Sequence, residues 1–168
     1  TEVVFQIHYA TLLAPNLGGS PILPNMNNTW LLAHGRQDRA SSPKMYNLAQ
    51  ALATSGQTDR VGQVLRVDWS SMADPVGALS LLSLNEGIYI PGVAQRTAQV
   101  MNNVLKIPNS QISAVGHSWG SYVAYELGKY SKVNRLVALD PASTAFGGYE
   151  DSKGNFAAVS AKSWGFVT

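Results

Sequence analysis

One serine of this sequence lies between two glycines at a spacing that suits nucleophilic catalysis. The segment Gly116-His117-Ser118-Trp119-Gly120 matches the G-x-S-x-G pattern, in which a serine hydroxyl is exposed on a sharp turn between a strand and a helix. The flanking glycines let neighbouring backbone pack closely, and the helix N terminus favours developing negative charge. Because Gly and Ser are also common in ordinary turns, the pattern predicts a nucleophile only if a strand precedes it and a helix follows.

A carboxylate is found where such a serine would need one. Asp140 follows the apolar run Val133–Leu139, which is the next strand that the sequence predicts after the serine. A carboxylate just past that strand can orient a histidine ring in a catalytic triad. Asp before Pro is also a common turn signal. Taken alone, the two interpretations of Asp140 are equally good, and beside Ser118 the catalytic one is favoured.

A third strand end offers backbone donors for an oxyanion. His34-Gly35 follows the apolar run Thr29–Ala33, where sheets of this kind place the loop that donates one oxyanion N–H. We expect the backbone of Arg36 to supply that N–H and the backbone of Trp119 to supply the other. The His34 ring is interpreted as an ordinary hydrogen-bonded loop histidine, because this role uses only the main chain.

The elements that must position these groups alternate along the chain. Apolar runs predict strands, and apolar residues at helical spacing predict helices, the first of which opens at Ser42 and Pro43. The predicted order is strand 3–9, strand 29–33, helix 43–55, strand 61–67, helix 92–105, strand 111–115, helix 118–130 and strand 133–139. Alternation of this kind predicts an α/β fold with a mostly parallel sheet covered by helices on both faces.

Composition excludes several classes of protein. The chain has 168 residues, of which 45% are hydrophobic and 13% are charged, with a net charge of +2, so one folded domain is expected rather than a disordered segment. The basic residues are scattered, which argues against nucleic-acid binding. There is no cysteine, so disulfides, thiolate metal sites and cysteine nucleophiles are excluded. No apolar stretch is long enough for a membrane helix.

These residues together resemble the pancreatic-lipase-like family of α/β-hydrolases. The resemblance rests on LLAHG ending at Gly35, Val67-Asp68-Trp69, VGHSWG at 115–120 and Leu-Asp-Pro-Ala at 139–142, in that order. It implies an α/β-hydrolase fold and hydrolysis of carboxylic esters of lipids, either triacylglycerol or phospholipid. It also implies that Ser118 is the nucleophile, Asp140 the triad acid, and the backbone N–H groups of Arg36 and Trp119 the oxyanion hole.

The third member of the triad is missing from this pattern. In α/β-hydrolases the histidine follows the acid, yet the three histidines, His8, His34 and His117, all precede Asp140. We expect residues 1–168 to form a single, incomplete catalytic domain whose C-terminal part, with the triad histidine, lies beyond this chain. The aromatic segment 164–167 near the last residue favours this interpretation. The alternative is a non-catalytic lipase-like module that binds a lipid or a partner.

The expected partners follow from the same resemblance. We expect a lipid or ester substrate, transient contact with a lipid interface, and no cofactor, metal or nucleic acid. An extracellular location is expected from the family, although no signal peptide is visible at the first residues. The sequence leaves the oligomeric state open.

Overall fold

The structure is a computed structural model that describes residues 5–7, 10–13, 21–55, 61–73, 87, 89–142 and 154–168. Within these ranges the strands form one seven-stranded sheet in the order β1-β2-β4-β3-β5-β6-β7. The strands are β1 Phe5–Ile7, β2 Ala10–Leu13, β3 Thr29–Ala33, β4 Gln63–Asp68, β5 Ile112–His117, β6 Val133–Leu139 and β7 Ser160–Phe166. The last five strands are mutually parallel, whereas β1 and β2 pair in antiparallel fashion. The predicted α/β architecture is confirmed.

Helices connect the parallel strands. They are α1 Pro43–Thr54, the short α2 Ser70–Ala73, α3 Ile90–Gln99 and α4 Gly120–Ser131. The side-chain oxygen of Ser42 caps α1 by accepting a hydrogen bond from the N–H of Met45, at 3.4 Å, and Pro43 occupies the first turn. Both features agree with the predicted start of this helix, because a proline at that position loses no intrahelical hydrogen bond.

Several predicted boundaries differ from the structure by one or more residues, and two of these differences have a clear physical reason. The helix predicted over 92–105 is α-helical only as far as Gln99, after which Val100–Val104 forms a π-helical turn. The helix predicted to begin at Ser118 begins instead at Gly120, because Ser118 has a φ of 53°, which a right-handed helix cannot contain. Strands β3 and β6 have the predicted bounds.

Burial on both faces explains why β3 is a continuous apolar run. Leu31 and Ala33 pack into a large core shared with α3 and α4, whereas Leu32 packs on the opposite face with Met45 and Ala49 of α1. Adjacent residues of a strand point to opposite faces, so a strand between two helix layers is mostly apolar on both faces. The central strands are thereby held rigidly, and the residues that follow them are held with them.

Candidate active site

Ser118 lies in a strained turn between β5 and α4. Its φ of 53° places a non-glycine residue in the left-handed region, where such residues are uncommon. Its N–H donates to the carbonyl oxygen of Leu139 on β6 at 2.9 Å, and its own carbonyl oxygen accepts from the N–H of Ser121 at 3.0 Å. The turn is therefore tied to both the sheet and the helix, so the predicted strand–turn–helix context of Ser118 is present.

The two glycines of the pattern are each required by close backbone approach. A Cβ on Gly116 would collide with the carbonyl group of Gly120 and lie 2.4 Å from the Cα of Ser121 if nothing moved. A Cβ on Gly120 would collide with the carbonyl oxygen of Ala33 and lie 2.6 Å from that of His34. The colliding atoms belong to the backbone, which cannot rotate away. These glycines bring the start of α4 against the end of β3.

The loop after β3 lies against Ser118. Gly35 is buried, and a Cβ placed on it would lie 3.0 Å from the Cβ of Ser118. Arg36, the next residue, is exposed. Trp119 is half-buried at the N-cap of α4, where its side chain makes no capping hydrogen bond. The main chains of Gly35-Arg36 and Ser118-Trp119 are thus brought together.

Asp140 lies beside Ser118 at the carboxyl edge of the sheet. His117 pairs with Leu139 in the parallel register of β5 and β6, so Ser118 and Asp140 are the next residues of two neighbouring strands. Asp140 also has a left-handed φ, 45°, and its side chain is exposed. Its N–H donates to the carbonyl oxygen of Phe166 at 2.7 Å, and its Oδ2 accepts from the hydroxyl of Thr168 at 3.2 Å.

A buried tyrosine anchors the segment that follows Asp140. The hydroxyl of Tyr122, on α4, donates to the carbonyl oxygen of Ala142 at 2.6 Å. Burial raises the pKa of this phenol above its ordinary value of 10.0, so the hydroxyl keeps its proton. Its ring also packs edge-on against Trp119 with ring centroids 5.7 Å apart. Tyr122 therefore connects both sides of the site, a role that the sequence did not indicate.

Three side chains at the ends of β3 and β4 form a hydrogen-bonded network. The ring of His34 is completely buried and stacks on that of Trp69, with centroids 5.5 Å apart. The main-chain N–H of Trp69 lies 3.2 Å from Nε2 of His34, and the indole N–H of Trp69 donates to the His34 carbonyl oxygen at 2.9 Å. Oδ1 of Asp68 lies 3.5 Å from the same Nε2. The interpretation of His34 as a hydrogen-bonded loop histidine is confirmed.

The charge of Asp68 is well stabilised in this network. Burial raises its pKa, but the His34 ring and the hydrogen bond from the N–H of Ser70, at 3.0 Å, outweigh burial and hold the pKa at about 2. Asp68 is therefore ionised at neutral pH. In the sequence, Asp68 and Trp69 contribute only to the motif that carries the family resemblance, and nothing there connects them with His34. Their positions at the ends of strands were the only signal available.

A small apolar pocket opens beside these backbone groups. Its lining includes Arg36 and Trp119, the two predicted oxyanion donors. The other lining residues are mainly apolar and come from α2, the start of α3 and the residues next to them: Trp69, Met72, Ala73, Gly87, Tyr89 and Ile90. Its free volume is about 10 Å³, room for about one water molecule.

The histidines do not supply an obvious base to Ser118. Both ring nitrogens of His34 face partners within its own network. His117 is exposed at the last position of β5, and His8 lies outside the described residues. Within the ranges that the structure describes, no cluster of three or more His, Cys, Asp or Glu side chains could hold a metal ion, and no helix there has the length and apolar character to cross a membrane.

Comparison with known proteins identifies the family. The model of the Lipase family matches residues 25–156, which include Ser118, Asp140 and the loop after β3. The chain belongs to the lipase family. It is also 31% identical over 148 residues to a phospholipase A1 from Solenopsis invicta, an alignment that covers 79% of this chain and 41% of that protein. The chain therefore spans less than half the length of this phospholipase A1.

Solved structures identify the fold. Est1E from Butyrivibrio proteoclasticus superimposes with a TM-score of 0.53 at 14% identity, over 83% of this chain and 51% of that one. Alpha/beta hydrolase domain-containing protein 10 from mouse gives a TM-score of 0.52 at 14% identity, over 85% and 50%. A protein of unknown function from Agrobacterium tumefaciens gives 0.59 at 11% identity, over 99% and 69%. This lipase-family chain has the predicted α/β-hydrolase fold.

Proposed function

We propose that the protein is a serine hydrolase that cleaves carboxylic esters of lipids. The observation that carries the proposal is the strained turn of Ser118, which lies against Gly35 on one side and in register with Asp140 on the other. A hydroxyl, backbone donors and a carboxylate are the groups that acyl transfer needs. Membership of the lipase family favours the same chemistry.

The proposed reaction proceeds through an acyl-enzyme. The Ser118 hydroxyl attacks the ester carbonyl carbon while a histidine takes its proton, and the resulting oxyanion accepts hydrogen bonds from the N–H groups of Arg36 and Trp119. The intermediate expels the alcohol, which receives the proton from the histidine, and water then hydrolyses the acyl-serine by the same steps. Asp140 orients the histidine and stabilises its charged form. Each oxyanion donor contributes about 10²- to 10³-fold in rate.

We place the histidine in sequence after Thr168. Residues 141–168 contain no histidine, and the fold's chain order puts it after the acid. The ring nitrogens of His34 are already engaged. The phospholipase relative is more than twice as long as its aligned part, so comparable proteins have room for such a residue.

The apolar lining of the small pocket beside the proposed oxyanion donors favours an acyl chain as the part of the substrate that lies nearest to this pocket. Its lining side chains Met72, Ala73 and Ile90 are apolar, and it begins at the two residues whose backbones would hold the oxyanion. A chain that left the carbonyl carbon towards these side chains would bury apolar surface, which is favourable by about 0.8 kcal/mol per CH₂. The 31% identity to a phospholipase A1 supports a phospholipid ester as the substrate. Triacylglycerol is the second lipid to test. Membership of the family favours an extracellular location for the enzyme.

The proposal is tested with the natural full-length protein and a set of esters. We expect hydrolysis of p-nitrophenyl esters and of phosphatidylcholine or triolein, and loss of activity in Ser118→Ala. Ser131→Ala is the matched control, because Ser131 is a buried serine at the opposite end of α4. It should retain wild-type activity.

The results distinguish an enzyme from a binding module. A folded full-length protein that hydrolyses none of these esters but binds phospholipid vesicles would contradict the proposal and identify a non-catalytic module. Activity that survives Ser118→Ala would reject the assigned nucleophile.

A further inference from the structure

We infer that the buried ring of His34 is a positioning residue that holds the Gly35–Arg36 peptide in the orientation an oxyanion hole requires. This inference rests on the proposed function, because it concerns the donor that the function assigns to Arg36. It adds a role for a side chain that the catalytic chemistry itself does not use.

The contact between the His34 ring and Gly35 determines where the ring carries a proton. His34 Nδ1 lies 2.8 Å from the carbonyl oxygen of Gly35. A carbonyl oxygen can only accept, so Nδ1 must donate. This holds whether Nε2 accepts from the N–H of Trp69, at 3.2 Å, or is protonated and donates to Asp68 Oδ1, at 3.5 Å. The hydrogen bond to Gly35 is common to both states.

Holding the carbonyl of Gly35 also sets the direction of the next N–H. The structure has no cis peptide bond among its described residues, and the groups of a trans peptide form one rigid plane in which C=O and N–H point in opposite directions. When the ring of His34 holds the Gly35 oxygen on its own side, the N–H of Arg36 points away from that ring. Because Gly35 contacts Ser118, this peptide borders the reacting centre.

Glycine makes such a restraint necessary. Without a side chain, Gly35 has wide conformational freedom, so the peptide that follows it can rotate more easily than in any other residue. A rotated peptide would present its carbonyl oxygen in place of the N–H and remove one donor. A larger residue could not replace Gly35 without disturbing Ser118, since its Cβ would lie 3.0 Å from the serine Cβ.

The ring of His34 is itself immobilised from several sides. The main-chain carbonyl oxygen of His34 accepts a hydrogen bond from the indole N–H of Trp69 at 2.9 Å, and the rings of the two residues stack at an interplanar angle of 23°. No part of His34 is exposed. A side chain locked by packing and by a second set of hydrogen bonds is the kind of support that preorganised sites need.

Two variants of His34 separate its two nitrogens in the full-length enzyme. In His34→Asn the amide NH₂ can replace Nδ1 and still donate to Gly35. In His34→Gln the amide oxygen can replace Nε2 and accept from Trp69, but the donor to Gly35 is lost. We expect kcat to fall about tenfold to a hundredfold in His34→Gln with KM nearly unchanged, because oxyanion donors act in the transition state. His34→Asn should retain activity within about fivefold of wild type.

A second measurement separates positioning from general damage to the fold. A trifluoromethyl ketone analogue of the substrate forms a tetrahedral oxyanion on the serine, so its affinity should fall in proportion to kcat/KM in His34→Gln. Thr29→Val is the matched control: Thr29 is completely buried at the opposite end of β3, where its hydroxyl donates to the Met26 carbonyl at 2.8 Å. This variant should lower the thermal midpoint without changing kcat or inhibitor affinity.

The outcomes are distinct from those of the proposed function. If wild-type enzyme is inactive towards every ester, the proposed function fails. The positioning role is overturned if wild type is active and His34→Gln has the same kcat and inhibitor affinity. It is also overturned if His34→Asn and His34→Gln lose activity only in proportion to their loss of folded protein. If His34→Gln does not fold, Trp69→Phe replaces it. This variant removes the indole donor. Because Trp69 also lines the pocket, only its kcat is compared, and kcat must fall as well, or the inference fails.

Discussion

Gly120→Ala tests the close contact that forms the site. The Cβ of alanine would lie 2.6 Å from the His34 carbonyl oxygen and closer still to that of Ala33, whereas ordinary contacts begin at 3.4 Å. The start of α4 must therefore move away from β3 by at least about 0.8 Å. This movement separates Ser118 from the Gly35–Arg36 peptide. A misplacement near 1 Å lowers the reaction rate about 100-fold. Overpacking of this kind also costs about 1–3 kcal/mol of the free energy of unfolding.

A matched glycine provides the control. A Cβ on Gly92, inside α3, would meet nothing within 4 Å. Gly92→Ala should therefore increase the free energy of unfolding by about 0.5–1 kcal/mol and leave the reaction unchanged. Urea unfolding measures the stability of both variants, and the rate of labelling by a fluorophosphonate probe measures the reactivity of Ser118. Wild-type stability and labelling rate in Gly120→Ala would refute the packing argument for the site.

Three further substitutions test other parts of the site. Asp140→Asn should lower kcat about 10⁴-fold with little change in KM, measured with a p-nitrophenyl ester, since an amide cannot stabilise a charged histidine. Tyr122→Phe removes the hydrogen bond to the carbonyl after Asp140, and we expect it to cost about 1 kcal/mol in urea unfolding; unchanged stability would reject the anchoring role. The pKa of Asp68 falls from 3.8 to about 2 on folding, so its stabilisation is complete above pH 4 and is lost as the pH falls through 2. With 23% of the side chain exposed, Asp68→Asn should cost about 1 kcal/mol at pH 7, a difference that should shrink towards pH 2 in acid titrations followed by circular dichroism.

The sequence pointed to Ser118, Asp140 and the β3 loop as candidate site residues because each follows a strand whose boundaries are physically marked. The runs Thr29–Ala33 and Val133–Leu139 are apolar where the sheet is covered and end at residues that leave it. Parallel strands place their carboxyl ends on one edge, so the ends of three such runs were expected to meet there.

Contacts between segments that are far apart along the chain could not be predicted from the sequence. The pairing of His34 with Asp68 and Trp69 depends on β3 and β4 being neighbours, and the order of strands does not follow from local patterns. The bond from Tyr122 to Ala142 depends likewise on how α4 packs over the end of β6. The π-helical turn after Gln99 was missed because its apolar spacing matches that of an α-helix closely.

The central claim is that Ser118 is the activated nucleophile. Its most direct test is to locate a fluorophosphonate adduct in the full-length protein by peptide mass spectrometry. We predict a single adduct on the peptide that contains Gly116 to Gly120, assigned to Ser118 by fragmentation and absent from Ser118→Ala. Labelling of a different serine, or no labelling in a folded protein that hydrolyses esters, would contradict this account.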